Sequence, residues 1–270
     1  MSNDFYKQVE LYYNTDAKDF DLRYWQNPVL QRIRQDFREE VKRWKFSNVL
    51  EVGFGTGIDL IHFAKTHPNT QIFGIDISVE MQGIAQKRID DEGLKNVTAF
   101  KGSVEDIDVL IPDIKFDLVY VFFGALNTVE DLQLAAQNLQ NSLAPDGVLV
   151  LSFVNKYYLK GIFIELLKLH FRSAFARLKP EWGGYSPTKY LPSKCYTPAQ
   201  IKSAFSSMNL VRNRGYSILH PAWYYIRINK YLGNKGRRML WKIDTIFNKS
   251  FLWKYGEYSL FVFQNGNNIS

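Results

Sequence analysis

Residues 49–57 read VLEVGFGTG, an apolar run that leads into three glycines separated by single residues. Glycine lets a ligand approach the backbone closely, and the helix that follows offers free N–H groups to a polar ligand. A buried strand that ends in such a turn is typical of a site for a ligand with a nucleotide-like part. The dinucleotide pattern is G-x-G-x-x-G, and here Gly57 falls one residue early, with Ile58 in the place of the third glycine. The spacing therefore departs from that of a dinucleotide site.

Strand and helix patterns alternate from residue 28 to residue 153, and Pro28 opens the first of these helices. The strands are runs of Val, Ile, Leu and Phe without polar alternation, which indicates strands buried on both faces. The sequence predicts an α/β fold with a Rossmann-like, doubly wound, mostly parallel sheet of seven strands. A turn is predicted at 145–147, where the residues are Pro-Asp-Gly. Beyond residue 155 the pattern changes, and 156–179 is predicted as one long apolar and basic helical stretch.

The chain of 270 residues is long enough for one large α/β domain that carries a smaller cap. We expect a single structural domain made of four consecutive segments. They are an N-terminal helical segment at 1–45 that covers the ligand site, a ligand-binding core at 46–155, a helical, aromatic and basic cap insertion at 156–196, and a C-terminal part of the sheet at 197–270 with a second basic aromatic insertion at 221–255.

Cysteine usage and the N-terminal residues limit the class of protein. Cys195 is the only cysteine, which excludes a disulfide scaffold and a Cys-rich metal module, so no metal site is expected. Its position before a capped helix is typical of a packed thiol. The N-terminus is polar from residue 2, and no run of about 18 apolar residues occurs in the chain. A cytoplasmic location is therefore expected.

The charge of the chain is unevenly distributed. Residues 156–255 hold 19 lysines and arginines against 3 acidic residues, a net charge of +16, which leaves −9 for the rest of a chain whose total is +7. Such asymmetry suggests an anionic partner near the basic segment, namely a carboxylated or phosphorylated substrate, a membrane surface or a nucleic acid. A solvated basic face without a partner is the alternative.

Carboxylates lie at the carboxyl ends of the first two predicted strands. Glu51 comes just before Gly53, and Asp76 ends the next strand, 19 residues after the last glycine of the turn. A carboxylate at that position can accept hydrogen bonds from both hydroxyls of a ribose. The end of the third strand, GSVEDI, brings Ser103 to Glu105 to the same edge of the sheet. Three strand ends therefore converge on one predicted crevice.

Five stretches of the chain resemble, in order and spacing, the motifs of a known family. VLEVGFGTG, GIDIS, KGSVED, FDLVYVFFGALNTVED and LAPDGVLVLSF are similar to those of class I S-adenosylmethionine-dependent methyltransferases, most like the type 11 small-molecule group. The resemblance covers roughly residues 40–155. It implies that S-adenosyl-L-methionine is the cofactor and S-adenosyl-L-homocysteine the product.

The same resemblance implies a set of cofactor-binding residues. The glycine turn would pass under the amino-acid part, Asp76 would hold the ribose, and Ser103 stands where many relatives carry Asp. The implied set is Tyr13 of the N-terminal segment, Glu51, Gly53, Phe54, Gly55, Gly57 and Asp76, then Ile77 and Met81 flanking the adenine, Ser103, Val104 and Glu105 along the adenine edge, and Val121 and Phe122 beside the methyl group.

A general base is needed only if the methyl acceptor is a hydroxyl, a protonated amine or a carbon acid. Of the four histidines, His170 in the cap and His220 beside a Trp-Tyr-Tyr cluster are the candidates for that role. His62 and His67, near the helix after the glycine turn, are expected to be packing or surface residues.

Three functional hypotheses stay open on the sequence. The first is methylation of a small molecule on O, N or C, aromatic or lipid-like with an anionic group, in secondary or lipid and quinone metabolism, because Tyr, Trp, Phe, Lys and Arg are mixed in both insertions. The second is RNA methylation through HPAWYYIRINKYLGNKGRRMLWK. The third is a non-catalytic domain that binds S-adenosylmethionine. The basic cap is also compatible with peripheral membrane contact.

Overall fold

The computed structural model describes residues 3–186 and 188–266 as a seven-stranded sheet with helices on both faces. The strands are β1 (Asn48–Val52), β2 (Gln71–Asp76), β3 (Val97–Lys101), β4 (Phe116–Val121), β5 (Leu143–Val154), β6 (Asn209–Tyr216) and β7 (Tyr258–Gln264). The helices are α1 (Asn3–Trp25), α2 (Pro28–Val41), α3 (Ile58–Thr66), α4 (Val79–Asp91), α5 (Ile107–Leu110), α6 (Leu132–Ser142), α7 (Leu159–Leu167), α8 (Phe171–Ala174), α9 (Pro198–Ala204) and α10 (Ile226–Phe247).

The strand order is β3-β2-β1-β4-β5-β7-β6. Strands β1 to β5 are parallel, and β7 lies antiparallel between β5 and β6. The order of the parallel strands reverses between β1 and β4, so their carboxyl ends open a crevice there. The prediction of a Rossmann-like, mostly parallel sheet is confirmed.

Local sequence signals explain where four of the helices begin. Asn27 caps α2 by accepting bonds from the N–H groups of the first turn, and Pro28 follows it at the first helical position. Ser78 caps α4 and Asp131 caps α6 in the same way. Thr197 forms a capping box at the start of α9. Helix α2 thus begins at Pro28, the residue that the sequence predicts as its start.

The central strands are buried on both faces of the sheet, as their uninterrupted apolar sequences predict. In β4, Leu118 and Tyr120 join one core cluster while Val119 and Val121 join the cluster on the other face, and all four are fully buried. The apolar stripe of α2 packs on the first cluster, where the Phe37 ring lies 5.1 Å from that of Phe122.

The predicted turn at 145–147 is a bulge inside β5. The pairing of β4 with β5 jumps from Phe116 opposite Leu143 to Leu118 opposite Val148, which leaves extra residues on β5. Asp146 takes the left-handed conformation, with φ 61°, as expected in a tight bend.

The stretch at 156–179 is largely helical, as predicted, but it is divided into α7, α8 and a short 3₁₀-helix at Ala176–Leu178. Helix α7 ends in a Schellman motif, in which the N–H of His170 bonds to the carbonyl of Glu165 and the N–H of Leu169 to that of Leu166. Leu169 occupies the left-handed position of this motif, with φ 61°, where glycine is usual. The sequence therefore contains no glycine or proline that signals the break. None of the described helices is long and apolar enough to cross a membrane.

We expect Leu169→Gly to raise the free energy of unfolding by about 0.5–1 kcal/mol, because a left-handed residue with a Cβ costs about 1–2 kcal/mol and an exposed side chain adds little burial. Urea denaturation of the purified chain measures this change. Leu167→Gly, inside α7, is the matched control and should lower the same quantity by about 0.5–1 kcal/mol. A loss of stability in Leu169→Gly would show that the left-handed backbone is not strained.

Candidate functional site

A crevice of about 150 Å³ lies at the carboxyl ends of the parallel strands, where the strand order reverses. It brings together most of the predicted cofactor-binding residues. Its lining includes Tyr13, Glu51, Gly53, Phe54, Gly55, Asp76, Ile77, Met81, Ser103, Val104 and Phe122. The remaining predicted residues, Gly57, Glu105 and Val121, do not line it.

The glycine turn leaves no room for side chains. A Cβ on Gly53 would lie 2.5 Å from the Cβ of Ala125, and all three glycines have positive φ. Gly57 is required for packing between helices, since a Cβ there would lie 3.0 Å from the Cβ of Ala85 in α4. The first two glycines therefore bring backbone to the crevice, while the third lets α3 approach α4.

The Asp76 carboxylate ties the strand end to both neighbouring loops. Its two oxygens accept hydrogen bonds from the N–H of Gly55, at 2.7 Å, and from the N–H of Ser78, at 2.9 Å. Burial raises the pKa of Asp76 to about 6, against these two bonds, which favour the ionised form. Each oxygen keeps a lone pair for a further donor, so the carboxylate can still accept bonds from ribose hydroxyls.

A second carboxyl group lies deeper in the crevice. The Tyr120 hydroxyl donates to Glu51 at 2.9 Å. Burial, together with the negative charge of Asp59, raises the pKa of Glu51 well above its usual range. Glu51 therefore favours its protonated form, which can donate a hydrogen bond to a ligand as well as accept one.

Helix α1 covers the crevice with four side chains, of which the sequence predicts only Tyr13. The other three are Tyr6, Val9 and Phe20. Tyr6 explains the position of Glu105, because its hydroxyl donates to that carboxylate across 99 residues of chain. Glu105 therefore holds the cover in place from outside the crevice.

Two more polar contacts fasten α1 over the strand ends. The Ser78 hydroxyl donates to Asn14 Oδ1 at 2.6 Å, directly beside Asp76. Asp21 accepts bonds from the Thr56 hydroxyl and from Arg88. The cover is thus attached to the glycine turn and to α4, which are the same elements that Asp76 joins.

The loop after β4 connects this crevice to a second cavity. Val121 is fully buried in the core, Phe122 lines the crevice, and Phe123 lines both cavities. Phe123 has φ 53°, a conformation that costs energy and is found where function requires it. Phe123 is not among the predicted site residues, because a left-handed phenylalanine has no sequence signal.

Arg34 of α2 is the second missed residue. It also lines both cavities, is buried, and ion-pairs with Asp59, which Arg38 also contacts at 2.6 Å. Its guanidinium lies 4.5 Å from the ring centroid of Tyr24 and 4.8 Å from that of Phe123. Its Nε is buried without a hydrogen-bond partner among the described residues. The one signal in the sequence is its position beside the apolar stripe of α2.

The second cavity measures about 310 Å³ and is lined mainly by aromatic side chains. They come from α1, from the end of β4, from the two insertions of the chain and from the start of β7. The aromatic residues are Tyr12, Tyr13, Phe20, Tyr24, Phe123, Trp182, Tyr185, Trp223 and Tyr258, and the charged ones are Asp16, Arg23 and Arg34. Five residues line both cavities: Tyr13, Phe20, Arg34, Phe123 and Thr128.

A buried polar network supports one wall of the second cavity. The Tyr185 hydroxyl donates to Glu257 at 2.5 Å and lies 3.1 Å from the hydroxyl of Tyr258. Arg177 ion-pairs with the same carboxylate at 2.9 Å. Burial raises the pKa of both tyrosines, so their hydroxyls stay protonated at neutral pH. Tyr258 can therefore donate to Tyr185 and turn its lone pairs toward the cavity.

Neither histidine proposed as a base lines either cavity. His170 is exposed at the tip of the cap, where its Nδ1 lies 3.1 Å from Glu165. His220 is buried with its Nδ1 2.7 Å from the carbonyl of Pro221, and burial lowers its pKa to about 4. Both histidines thus lie away from the two cavities in which a cofactor or an acceptor could bind. Cys195 is buried, which raises its pKa to about 12, as expected of a packed thiol.

Comparison with known proteins agrees with this geometry. A Rossmann-like sheet with a crevice at its switch point defines a class of proteins that bind nucleotide-like cofactors. Residues 49–147 match the family of the methyltransferase domain. The match covers the glycine turn, Asp76 and the loop after β4. Residues 49–147 thus form a methyltransferase domain, which agrees with the motifs that resemble class I S-adenosylmethionine-dependent methyltransferases.

Curated relatives extend the similarity over part of the chain. An uncharacterised protein of Rickettsia prowazekii is 28% identical over 151 residues, which cover 54% of this chain and 59% of the relative. An uncharacterised protein of Methanocaldococcus jannaschii is 31% identical over 177 residues, or 65% of this chain and 63% of the relative. A tRNA (guanine-N(7)-)-methyltransferase of Marinobacter nauticus is 35% identical over 75 residues, 27% of this chain and 32% of the relative. The chain thus spans about six tenths of the length of the first two relatives.

Solved structures share the fold over most of the chain. An S-adenosylmethionine-dependent methyltransferase of Clostridium acetobutylicum has a TM-score of 0.56 at 13% identity, covering 86% of this chain and 90% of its own. The N-methyltransferase NodS of Bradyrhizobium japonicum has a TM-score of 0.52 at 15% identity, covering 89% of this chain and 98% of its own. At these identities the likeness concerns the fold.

The position of Asp76 generates a pH prediction. We expect the affinity for S-adenosylmethionine to be full above about pH 7, where Asp76 is ionised and accepts the ribose hydroxyls, and to fall about tenfold by pH 5 as the carboxyl group takes up its proton. Calorimetric titration between pH 5 and 7.5 measures this. Asp76→Asn is the control, and its weaker affinity should not share this step. Parallel profiles for the parent and the variant would remove Asp76 from the ribose site.

Proposed function

We propose that the protein is an S-adenosylmethionine-dependent methyltransferase that methylates a small molecule bound in the aromatic cavity. The observation that carries this proposal is the pair of adjoining cavities. The cofactor crevice and the aromatic cavity share one wall, which includes Tyr13, Arg34 and Phe123. A methyl group at the end of the crevice would meet an acceptor across that wall, as an in-line displacement requires.

The lining of the aromatic cavity supports an aromatic or lipid-like acceptor with an anionic group. A volume of about 310 Å³ is at the lower end of the range of small-molecule pockets. Arg34 offers a guanidinium held between the rings of Tyr24 and Phe123, with Nε free to donate. A carboxylate, phosphate or phenolate on a flat acceptor matches this combination of a cation and aromatic faces.

The residues of the chain have three tasks in this reaction. When bound, S-adenosylmethionine supplies an electrophilic methyl group on a sulfonium. Helix α1 excludes water from the crevice, and Arg34 and Phe123 position the acceptor at the shared wall. An acceptor hydroxyl or amine can release its proton to the Tyr258 oxygen, while Tyr258 passes its own to Tyr185 and Tyr185 to Glu257. An anionic acceptor oxygen needs no such route.

We expect Arg34→Met to raise the KM for an anionic aromatic acceptor about tenfold or more, because the cation that recognises the anionic group is lost. The measurement is release of S-adenosylhomocysteine with a panel of aromatic carboxylates, phenols and lipid-like phenols. Asp59 keeps Arg38 as its partner in this variant, so no buried charge is left unpaired.

Neutral analogues of the same acceptors are the control for this prediction, since their KM should change little. If the variant loses neutral and anionic acceptors equally, Arg34 does not recognise the anionic group. If the parent binds S-adenosylmethionine but turns over no acceptor, the non-catalytic hypothesis replaces this one.

RNA methylation is the second candidate, because the basic insertion and the similarity to a tRNA methyltransferase over 75 residues both favour it. Binding of RNA through lysines and arginines would weaken steeply with salt. Methylation of tRNA by the parent chain, with affinity falling at least tenfold between 50 and 200 mM salt, would support RNA. If the affinity for tRNA does not change with salt, the small-molecule proposal remains the better supported one. The cytoplasm stays the predicted compartment.

A further inference from the structure

The tip of the cap exposes large apolar side chains that nothing in the described chain covers. Leu167, Leu169 and Phe171 lie within five residues at the turn between α7 and α8, with 69%, 73% and 59% of their surfaces exposed. Phe163, one turn earlier on α7, is 62% exposed. Residues 163 and 167 share a helix face, so they extend the tip into an apolar row. We call Phe163, Leu167, Leu169 and Phe171 the apolar tip.

A neighbouring face of α7 already has a partner within the protein. Ile164 packs against the cluster of Tyr158, Ala222 and Tyr225. The helix is therefore anchored by one apolar face and presents another to the outside. An ordinary amphipathic cap helix would carry polar residues there.

Leu169 of the apolar tip also has an unfavourable backbone conformation. It takes the left-handed position of a Schellman motif, where glycine would be unstrained, and it gains no burial in return. A strained residue that packs against nothing in the fold is an outlier of the kind that marks a functional contact.

Cations surround the apolar tip on the cap and on the neighbouring helix. Lys168 and Arg172 flank it in sequence, and both are exposed. Lys168 lies 4.8 Å from the ring of Tyr225, at the start of α10, where Arg227 and Lys230 are also exposed.

Of the three acidic residues of the basic segment, Glu165 alone offsets one of these cations, namely Lys168, and no ion pair in the described part of the chain joins the other two to Arg172, Arg227 or Lys230. Asp244 is buried and accepts backbone N–H groups of residues 218–220. Glu165 pairs with Lys168 and His170, and Glu181 accepts a bond from Tyr190. The face around the tip therefore combines exposed apolar side chains with positive charge.

We propose that this face docks on a bilayer that contains anionic lipids. Aliphatic side chains at the apex can enter the boundary between headgroups and acyl chains, while the surrounding lysines and arginines meet lipid phosphates. Two of the four tip residues are leucines, which offer no ring for a nucleic-acid base to stack on, so a lipid surface fits better than RNA. The inference does not depend on the proposed reaction, since docking needs no methyl acceptor.

The test is sedimentation of the full chain with vesicles of phosphatidylcholine alone or with about 30% phosphatidylglycerol. We expect at least tenfold stronger partition onto the anionic vesicles, weakened by 0.5 M salt. Leu169→Gly should reduce partition about fivefold while its thermal stability is kept or raised, because it removes a contact with lipid and none within the fold. Val109→Ser, at an 80% exposed apolar residue of α5, is the matched control and should bind like the parent.

Insertion is distinguished from charge attraction by fluorescence difference spectra. Leu169→Trp should show a blue-shifted contribution on anionic vesicles, and Val109→Trp should not. The proposal is overturned if the parent does not bind anionic vesicles, or if Leu169→Gly binds them as well as the parent. Displacement of the parent from vesicles by RNA, with RNA affinity unchanged in Leu169→Gly, would instead assign the basic face to nucleic acid.

Discussion

The Asp76 carboxylate holds the candidate site together. It ends β2 and accepts the backbone N–H of Gly55 from one loop and that of Ser78 from the other. Ser78 in turn caps α4 and donates its hydroxyl to Asn14 of the cover. One buried charge thus connects the glycine turn, a helix start and α1. Because burial penalises this charge and backbone donors favour it, the site is poised to bind a further hydrogen-bond donor.

The parts of the site that follow from local sequence could be predicted. Glycines with positive φ, helix caps and the strand ends with their carboxylates each depend on a few neighbouring residues. The order of the strands then follows from the rules for parallel sheets. That is why the positions of Asp76, Ser103 and the glycine turn in one crevice were within reach of the sequence, and why the family match agrees with them.

The rest depends on contacts between distant parts of the chain. Tyr6 reaches Glu105 across 99 residues, and Tyr185 reaches Glu257 across 72. No periodicity or motif encodes hydrogen bonds between residues so far apart in the chain. Most side chains with which α1 covers the crevice, and the polar network behind the aromatic cavity, were therefore not predicted. The choice of the two candidate histidines rested on different grounds. His170 and His220 were chosen by residue type, and burial and packing, which decide their chemistry, are not visible in the sequence.

The charged residues around the cofactor crevice and those of the cap differ in their partners. Around the cofactor crevice, the buried carboxylates of Asp59 and Asp76 are satisfied by arginines and by backbone N–H groups, respectively. In the cap, the buried cation Arg177 is paired with Glu257, while most of the other lysines and arginines remain at the surface. Positive charge that stabilises no internal contact is free to act on a partner. The same holds for the apolar surface at Leu169, because the conformation of this residue costs stability and its side chain contributes little to the fold. The cap therefore has features that folding alone does not explain, whereas the features of the crevice serve folding and cofactor binding together.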